Sequence, residues 1–597
     1  MSGISGRIEE LRREMKACGI DMYIIPTSDF HESEYVGEYF KARSYMTGFT
    51  GSAGTAVITQ EEAGLWTDGR YFIQAERELF GSPVTLYRMG EEGVPTVKEY
   101  VGENLKEGGC LGFDGRVINA GAGEEYARIA AEKGGSIAAG EDLVGRIWNE
   151  RPPFPENPIF ILEEKYTGER TAGKLHRVRK KMKEKGADVH ILTSLYDIAW
   201  LFNIRGRDIV HVPVVMSFAA ITQKESIWFV RHKVLNPEIC RYCTENEISI
   251  RDYEDIYDYA RSISKDKKVL LDKGIVNYRI YNSLKAETIE GPNPTQMMKA
   301  VKNETELSNI RNAHVKDGVA FTKFMYWLKT HIGKEEITEV SAARYLENCR
   351  REQELFADLS FDTISAYGEH AAMMHYSATP ETDVLLKPEG FLLVDSGGHY
   401  LDGSTDITRT LALGALTREQ KLYFTTVCRG NLNLASAKFL HGCRGTNLDI
   451  LAREPLWMMG LDYRCGTGHG IGYFLNVHEG PNAFRWRHVS DGNSDCVLEE
   501  GMVTTDEPGI YLEGNYGIRT ENELVCRKAE KNEYGQFMEF EIITYAPIDL
   551  DAILPEEMTA AERGFLNAYH KMVYEKISPF LDEAERMWLK EYTREIL

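Results

Sequence analysis

The chain has 597 residues, of which 43% are hydrophobic and 27% are charged, and it carries a formal net charge of −22 at pH 7. This length predicts several domains, three in our interpretation, and the composition excludes a chain that is disordered throughout. The acidic excess argues against nucleic-acid and anionic-membrane partners, because both are themselves negatively charged.

Hydrophobic runs and cysteines indicate the compartment. No apolar run reaches the roughly 18 residues that a membrane-spanning helix needs. Residues 1–19 lack the apolar region of a signal peptide, so we expect a cytoplasmic protein. The ten cysteines are scattered, and the close pair Cys240 and Cys243 has no second pair to complete a zinc site. We therefore expect reduced thiols.

Two segments of mixed strand and helix patterns open the chain. The first, residues 1–160, ends in the proline-rich NERPPFPENP. The second, residues 161–298, contains RKKMKEKGADVHIL at 179–192, which parallels RREMKACGIDMYII at 12–25. Two copies favour duplicated α/β domains over a solenoid, which normally needs at least about three units. Beyond the boundary EGPNPTQ we predict a third domain, residues 299–597.

The third segment begins with helical patterns. A second helix is expected after Thr338, and TREQ forms a capping box from Thr417 to Gln420. Strand patterns with glycine turns alternate with these helices, which predicts an α+β domain with antiparallel hairpins rather than a doubly wound sheet. The first helix has a cap and an apolar face, formed by Asn303 and by Leu307, Ile310, Ala313, Ala320, Phe324 and Leu328.

Two acids occur in the stretch VDSGGHYLDGSTDITRT, residues 394–410. In a strand, Asp395 shares one face with Phe391 and Leu393, and the following glycine pair would turn a strand carrying Asp406 back alongside it. A buried carboxylate must be protonated, paired with a cation or bound to a metal. Alternatively, Asp395 makes turn hydrogen bonds and Asp406 lies on a solvated strand.

Further polar residues follow in glycine-rich contexts. CGTGHGIGYFLNVHEGP surrounds His469 with glycines and contains His478. Glu507 ends an apolar run, and Glu521 lies in a strand after the turn-like LEGNYG. Arg519 shares a strand face with Glu521, so it could brace a ligand carboxylate. Each of these residues, taken alone, has a structural role as an alternative.

Two common motifs are excluded. The glycines at 466, 468, 470 and 472 do not follow the GxGxxG spacing, and YFLNVHEGP is a poor helix start, which argues against a dinucleotide loop. DSGGHYLDGSTD has glycine and histidine at the third and fifth positions, where a calcium loop needs oxygen ligands. Four carboxylates and one imidazole remain as a candidate site.

In their order and contexts, these five residues resemble the metal ligands of the pita-bread metallopeptidases, which include methionine aminopeptidase, prolidase and aminopeptidase P. SFDTISAYGEHAAMMHYSATPE, VTTDEPGIY and YGIRTENELV are most similar to the cytosolic, three-domain aminopeptidase P group, and FLNAYHKMVYEKISPFLDEAERMWL resembles its C-terminal helices. The resemblance implies an α+β chain with a C-terminal pita-bread (creatinase/methionine aminopeptidase-like) catalytic domain after two related α/β domains.

The resemblance also implies two divalent metal ions, usually Mn²⁺, with a bridging water or hydroxide. Asp395 would be bidentate to one ion, Asp406 and Glu521 would bridge both, and His469 and Glu507 would complete the other site. Independently, an oxygen-rich set with one imidazole suits a harder ion better than structural zinc. Two ions about 3.5–4 Å apart can generate hydroxide at neutral pH. Water is then the nucleophile, and Glu507 is expected to manage its proton.

Other active-site residues are also assigned by resemblance. His375 and His478 match the family's active-site histidines, which are expected to contact substrate, stabilise the tetrahedral intermediate and assist proton transfer. Tyr511 and Arg519 match further positions in the active-site region, and we predict that they bind substrate. Cys465 departs from the pattern, since family members often have histidine there. This departure leaves the five ligands in place but puts inherited rates and specificity in doubt.

The implied reaction is removal of the N-terminal residue from a peptide with proline at position 2. The Xaa-Pro bond has no N–H, so the enzyme needs a pocket for the ring. Alternatives are a prolidase acting on Xaa-Pro dipeptides, a group with shorter chains, and a non-catalytic pita-bread binding protein. A homodimer is also expected, with Trp457 at a position that resembles the interface; the alternative is an ordinary core tryptophan.

Overall fold

The computed structural model describes residues 3–487 and 495–597, and the chain divides into two compact units. The first unit comprises Met1–Leu162 and Glu169–Thr295, and the second comprises Glu163–Gly168 and Gln296–Leu597. Within the described ranges, no helix combines the length and the apolarity required to cross a membrane.

The first unit contains a six-stranded mixed sheet in its N-terminal half. Numbered along the chain, its strands lie in the order 4-3-2-1-5-6. Strands 1 to 3 pair antiparallel, and the other three pairs are parallel. The strands are Met22–Pro26, Thr55–Thr59, Ala63–Thr67, Thr85–Arg88, Cys110–Phe113 and Ser136–Ala138. The helices are Ile4–Ala17, Ala42–Thr47, Phe72–Leu79, Val97–Asn104, Ala120–Glu132 and Leu143–Ile147.

A second sheet in the same unit repeats this order and these strand directions. Its strands are Val189–Leu192, Ser217–Thr222, Ser226–Val230, Ile248–Arg251, Lys268–Leu271 and Glu287–Glu290. Its helices are Thr171–Lys185, Leu195–Phe202, Pro237–Glu245, Asp255–Ser262 and Tyr278–Ser283. The two segments whose sequences were matched each run from a helix into the first strand of their sheet, as duplicated α/β domains require. The domain limits at 160 and 298 remain predictions.

Helices of the second unit begin where their caps were predicted. The side chains of Asn303, Thr338 and Thr417 each accept a hydrogen bond from the third helical N–H. The predicted apolar face of the first long helix is buried. The helices are Pro294–Ala300, Glu304–His331, Glu339–Arg351, Arg418–Ala435, Gly445–Trp457, Ala560–Ile577 and Glu583–Tyr592.

The sheets of the second unit consist of antiparallel pairs, as the hairpin pattern predicted. One sheet has Phe391–Ser396 between Ile364–Tyr367 and Ile407–Ala412, and another comprises Phe356–Leu359, Gly398–Tyr400 and Gly403–Ser404. Gly509–Leu512 pairs with Tyr516–Arg519. The largest sheet contains, in spatial order, Lys438–Leu440, Gly535–Ile542, Asn522–Asn532, Val503–Asp506, Gly468–Gly470 and Glu479–Phe484.

The connection from Asp395 to Asp406 differs from the expected glycine turn. The chain continues through the strand Gly398–Tyr400 and turns at residues 401–402 before it returns. A Cβ on Gly397 would lie 1.9 Å from the carbonyl oxygen of Thr405. Glycine is therefore required here for close strand approach rather than for the turn. The return strand places Thr408 opposite Asp395, and Asp406 lies just before it.

Candidate functional site

The second unit brings the predicted metal ligands together from separate segments. Asp395 lies near the end of a central strand, and Asp406 lies just before the strand paired with it. His469 lies in a short strand of the largest sheet, Glu507 follows the neighbouring strand, and Glu521 lies between two strands. The site therefore forms where two antiparallel sheets meet within the unit.

Donor atoms of these residues are close enough to share a metal site. His469 Nε2 lies 3.5 Å from Asp406 Oδ2 and 3.3 Å from Glu507 Oε1. Potential ligand atoms of Asp406, His469 and Glu521 all lie within 4.8 Å of one another. These distances are compatible with a cation between the side chains, since each donor needs to approach it to about 2.0–2.6 Å.

The pKa values of the carboxyl groups reflect their burial and their proximity. Burial raises the pKa of Asp406 well above its usual 3.8, and Glu521 and Asp395 add to this effect. Burial likewise raises the pKa of Glu521, with smaller contributions from Glu507 and Asp395. Burial raises the pKa of Glu507 to about 7, although the Arg519 guanidinium opposes the shift. The acids therefore need additional positive charge to ionise together at neutral pH.

Asp395 provides a direct test of whether the site fits a metal. Its Oδ2 accepts a hydrogen bond from Arg519 Nη2 at 2.5 Å. Its Oδ1 is buried and has no hydrogen-bond partner among the described residues. A buried carboxylate oxygen left without a partner is costly, whereas carboxylates are favoured ligands of hard divalent cations. The donor set thus fits such ions.

Arg519 braces one of the predicted ligand carboxylates. Its guanidinium contacts Asp395 directly. Its Nε donates to Thr408 Oγ1 at 3.1 Å, and Thr408 Oγ1 donates to Glu521 Oε2 at 2.8 Å. Its Nη1 donates to the Tyr511 hydroxyl at 2.6 Å. Arg519 and Glu521 do not share a strand face as predicted, because Arg519 ends its strand and Glu521 lies beyond it.

The His469 ring is oriented by a contact with the backbone of the next residue. Its Nδ1 lies 3.0 Å from the carbonyl oxygen of Gly470, so a proton on Nδ1 leaves Nε2 free of hydrogen and directed at the acids. Thr505 Oγ1 accepts from the His469 N–H at 3.0 Å and donates to Glu507 Oε1 at 3.1 Å. The His478 ring meets the His469 ring edge-on, with centroids 4.2 Å apart. Two predicted active-site histidines are therefore adjacent.

Family models cover most of the chain. Residues 7–139 and 150–306 each match a model described as the creatinase/prolidase N-terminal domain. Residues 308–528 match metallopeptidase family M24, and residues 536–596 match the C-terminal region of peptidase M24. Aminopeptidase P1 of Arabidopsis thaliana is 36% identical, with 97% of each chain covered. The chain belongs to metallopeptidase family M24.

Two further comparisons support this family assignment. Xaa-Pro aminopeptidase 1 of Dictyostelium discoideum is 37% identical to this M24 chain. The alignment covers 98% of this chain and 96% of the relative. The crystal structure of X-prolyl aminopeptidase from Caenorhabditis elegans, described as a cytosolic enzyme with a di-nuclear active site, has a TM-score of 0.95. That chain is 32% identical, with both chains covered in full. The predicted fold class and family are confirmed.

Further predicted residues of this M24 chain lie on segments that contact Arg519 or pack near Tyr511. His375 is half-buried, and the preceding carbonyl, of Met374, accepts from Arg519 Nη2 at 3.4 Å. Burial raises the pKa of Tyr511, and Arg519 opposes this shift. Cys465 and Tyr511 are both partly buried and pack against the same apolar core. Tyr511 and the residue before His375 thus contact Arg519, and the roles of His375 and Tyr511 remain predictions.

Sequence reasoning missed a buried pair behind Asp406. Glu523 Oε1 accepts a hydrogen bond from the Asp406 N–H at 2.7 Å. His314 Nε2 lies 3.1 Å from Glu523 Oε2, and both side chains are fully buried. A signal was present, because His314 follows Ile310 by one helical turn and so lies on the predicted buried face. The residues that predict this face are all apolar, whereas His314 is a polar residue on the same face.

Proposed function

We propose that this protein is a metal-dependent aminopeptidase that hydrolyses the bond between an N-terminal residue and a following proline. The observation that carries the proposal is the convergence of the Asp406, Glu507 and Glu521 carboxylates on the His469 imidazole, together with the buried, unpaired Oδ1 of Asp395. Its family relatives named Xaa-Pro aminopeptidase align with nearly the full chain, which supports the same reaction here. The preferred substrates are peptides with proline at position 2.

The residues proposed to hold two divalent ions are Asp395, Asp406, His469, Glu507 and Glu521. We propose Mn²⁺, because four oxygen donors and one nitrogen suit a hard ion. When bound, two such ions supply a hydroxide-strength nucleophile at neutral pH and polarise the substrate carbonyl. The C. elegans enzyme described as di-nuclear supports the number of ions.

Glu507 is proposed to carry the proton of the attacking water. Thr505 donates to Glu507 Oε1, so Oε2 is the oxygen on which a proton would be held. A carboxylate beside the attacking water is suited to accepting its proton and returning that proton later in the reaction. Glu507 therefore combines the proposed roles of ligand and general base.

The leaving group imposes a second requirement. The proline nitrogen has no hydrogen in the peptide and must gain a proton as the C–N bond breaks. His375 and His478 are the proposed donors, and they also stabilise the negative charge on the carbonyl oxygen. Tyr511 and Arg519, joined by a 2.6 Å hydrogen bond, are proposed to orient the substrate.

The test uses metal-stripped protein and the peptide Arg-Pro-Pro. Release of arginine is expected after Mn²⁺ addition in the wild type, but not in Asp406→Asn. The matched control Asp266→Asn, at an exposed position in the first unit, should behave as wild type. Cleavage of Xaa-Pro dipeptides with Arg-Pro-Pro left intact would contradict the proposal and indicate a prolidase. Bound metal without any cleavage would indicate a binding protein.

A homodimer is proposed from an exposed apolar cluster. Trp457, Met458 and Met459 are 39%, 80% and 38% exposed, and Trp486 is 42% exposed. The two tryptophan rings meet edge-on with centroids 5.6 Å apart. Trp457 is thus not an ordinary core tryptophan, and clustered exposed apolar side chains are typical of interfaces. Sedimentation of the wild type as a dimer and of Trp457→Arg as a monomer is expected; a wild-type monomer at micromolar concentration would refute the proposal.

The location is proposed to be cytosolic. This proposal is supported by the description of the C. elegans relative as a cytosolic enzyme. Fractionation of cells that express the tagged full chain tests it, since recovery in the membrane or secreted fraction would contradict a cytosolic location.

A further inference from the structure

The loop that carries His375 is attached to the first turn of the helix Glu339–Arg351. We propose that Glu339 is a positioning residue, whose buried carboxylate fixes the segment 367–376 and thereby the place of the His375 ring. The inference rests on the proposed function, because it assigns His375 a part in the reaction. Glu339 itself touches neither the acidic cluster nor, in our proposal, the substrate.

Three donors from the loop converge on the Glu339 carboxylate. The Tyr367 N–H donates to Oε1 at 2.6 Å, and His370 Nδ1 lies 3.0 Å from the same oxygen. The Tyr376 hydroxyl donates to Oε2 at 2.9 Å. The His370 and Tyr376 rings also stack, with centroids 4.4 Å apart. One carboxylate therefore holds residues on both sides of His375.

The far end of the loop is attached to the same turn. The Glu339 N–H donates to the Val384 carbonyl at 3.2 Å, and the Val340 N–H donates to Asp383 Oδ1 at 3.1 Å. Thr338 forms an isolated bridge with Leu385. The loop thus leaves and returns at a single helix N-terminus, where the helix dipole favours a negative charge such as that of Glu339.

The base of this attachment is well ordered by its own contacts. Thr338 caps the helix and forms a reciprocal capping box with Ser341. Glu339 is fully buried, so its side chain has little freedom to move. On the other side of the loop, Arg519 Nη2 donates to the Met374 carbonyl at 3.4 Å. The segment around His375 is therefore held by Glu339 on one side and by Arg519, which also contacts Asp395, on the other.

The Glu339 carboxylate is buried, and its hydrogen-bond donors come from the loop that carries His375. Burying a negative charge is costly, and it is tolerated when several donors satisfy it, as Tyr367, His370 and Tyr376 do. A fully satisfied buried polar group selects one arrangement of the elements that it joins. In Glu339→Gln one acceptor oxygen becomes a donor amide. If that amide takes the place of Oε2, the Tyr376 hydroxyl must donate instead to Thr382 Oγ1, 3.0 Å away, and its donation to residue 339 is lost.

The test measures Arg-Pro-Pro cleavage and metal content in Glu339→Gln and in the exposed control Glu336→Gln. For Glu339→Gln we expect a roughly 10- to 100-fold lower kcat, a KM within about threefold of wild type, and two metal ions per chain as before. Glu336→Gln should match the wild type in all three. Loss of metal or a change confined to KM would overturn the positioning role.

A double-mutant cycle separates positioning from general destabilisation. If Glu339 acts through His375, then Glu339→Gln should lower kcat little further in a His375→Ala background. If the two substitutions lowered kcat independently, so that the double variant lost the product of the two single fold-changes, the inference would be overturned. A His375→Ala variant as active as wild type would instead refute the proposed function of His375. Tyr376→Phe keeps the buried carboxylate and removes one of its donors. It should lower kcat by a smaller factor, again with KM and metal content nearly unchanged, and it replaces Glu339→Gln in the test if that variant misfolds.

Amide hydrogen exchange tests the structural step without any turnover. In the metal-free protein, residues 368–376 should exchange faster in Glu339→Gln than in wild type, whereas the strand Phe391–Ser396 should not change. Unchanged exchange in the loop would overturn the inference even if the enzyme proves to be a prolidase, since this measurement does not depend on the substrate.

Discussion

Replacing Glu507 by glutamine should stabilise the metal-free protein while removing its activity. Burial raises the pKa of Glu507 to about 7 from its usual 4.5, so the folded protein binds a proton that the unfolded chain releases. Protonated Glu507 therefore favours the folded state below pH 4.5, and this contribution to the free energy of unfolding is lost as the pH rises from 4.5 through about 7. The full effect of this one carboxyl group is about 3 kcal/mol. Glutamine mimics the protonated form at every pH and avoids this loss.

The stability advantage of Glu507→Gln should therefore grow with pH. We expect about 1 kcal/mol near pH 5.5 and about 3 kcal/mol near pH 8.5, measured by denaturant unfolding in the presence of EDTA. The exposed control Glu513→Gln should show no such trend. With Mn²⁺ the order should reverse, because the wild type keeps its ligand and the variant does not. An advantage that is absent or constant across this pH range would refute the reasoning about the buried cluster.

Three further outcomes are expected. The apparent Mn²⁺ affinity, measured by calorimetry, should fall at least about tenfold per pH unit below pH 7, because Glu507 must release a proton to bind; a pH-independent affinity would contradict this. Arg519→Met should destabilise the metal-free protein by about 3–5 kcal/mol in denaturant unfolding, because Asp395 loses its buried partner, and by clearly less with Mn²⁺ bound. Glu523→Ala should weaken Mn²⁺ binding by about 10- to 100-fold, because the Asp406 N–H loses its acceptor; unchanged affinity would show that Glu523 does not orient Asp406.

The sequence by itself determined the local elements of this protein and the inventory of its site. Helix starts at Asn303, Thr338 and Thr417 were predictable because a cap needs only a side-chain acceptor and the next three residues. The repeated helix-to-strand pattern predicted two related sheets, which share one strand order. The candidate ligands were recognisable from acids and histidines in apolar or glycine-rich strands, together with a family resemblance.

Only the tertiary structure decided which side chains meet. Asp406 and Glu521 are far apart in the chain, and no local period shows that their ligand atoms lie within 4.8 Å of each other. The partner of Arg519, the Glu523–His314 pair and the raised pKa of Glu507 all depend on packing between segments. The sequence around Gly397 indicates a turn, but in the fold this glycine allows the close approach of the Thr405 backbone. Burial and through-space distance set these properties, and sequence spacing specifies neither.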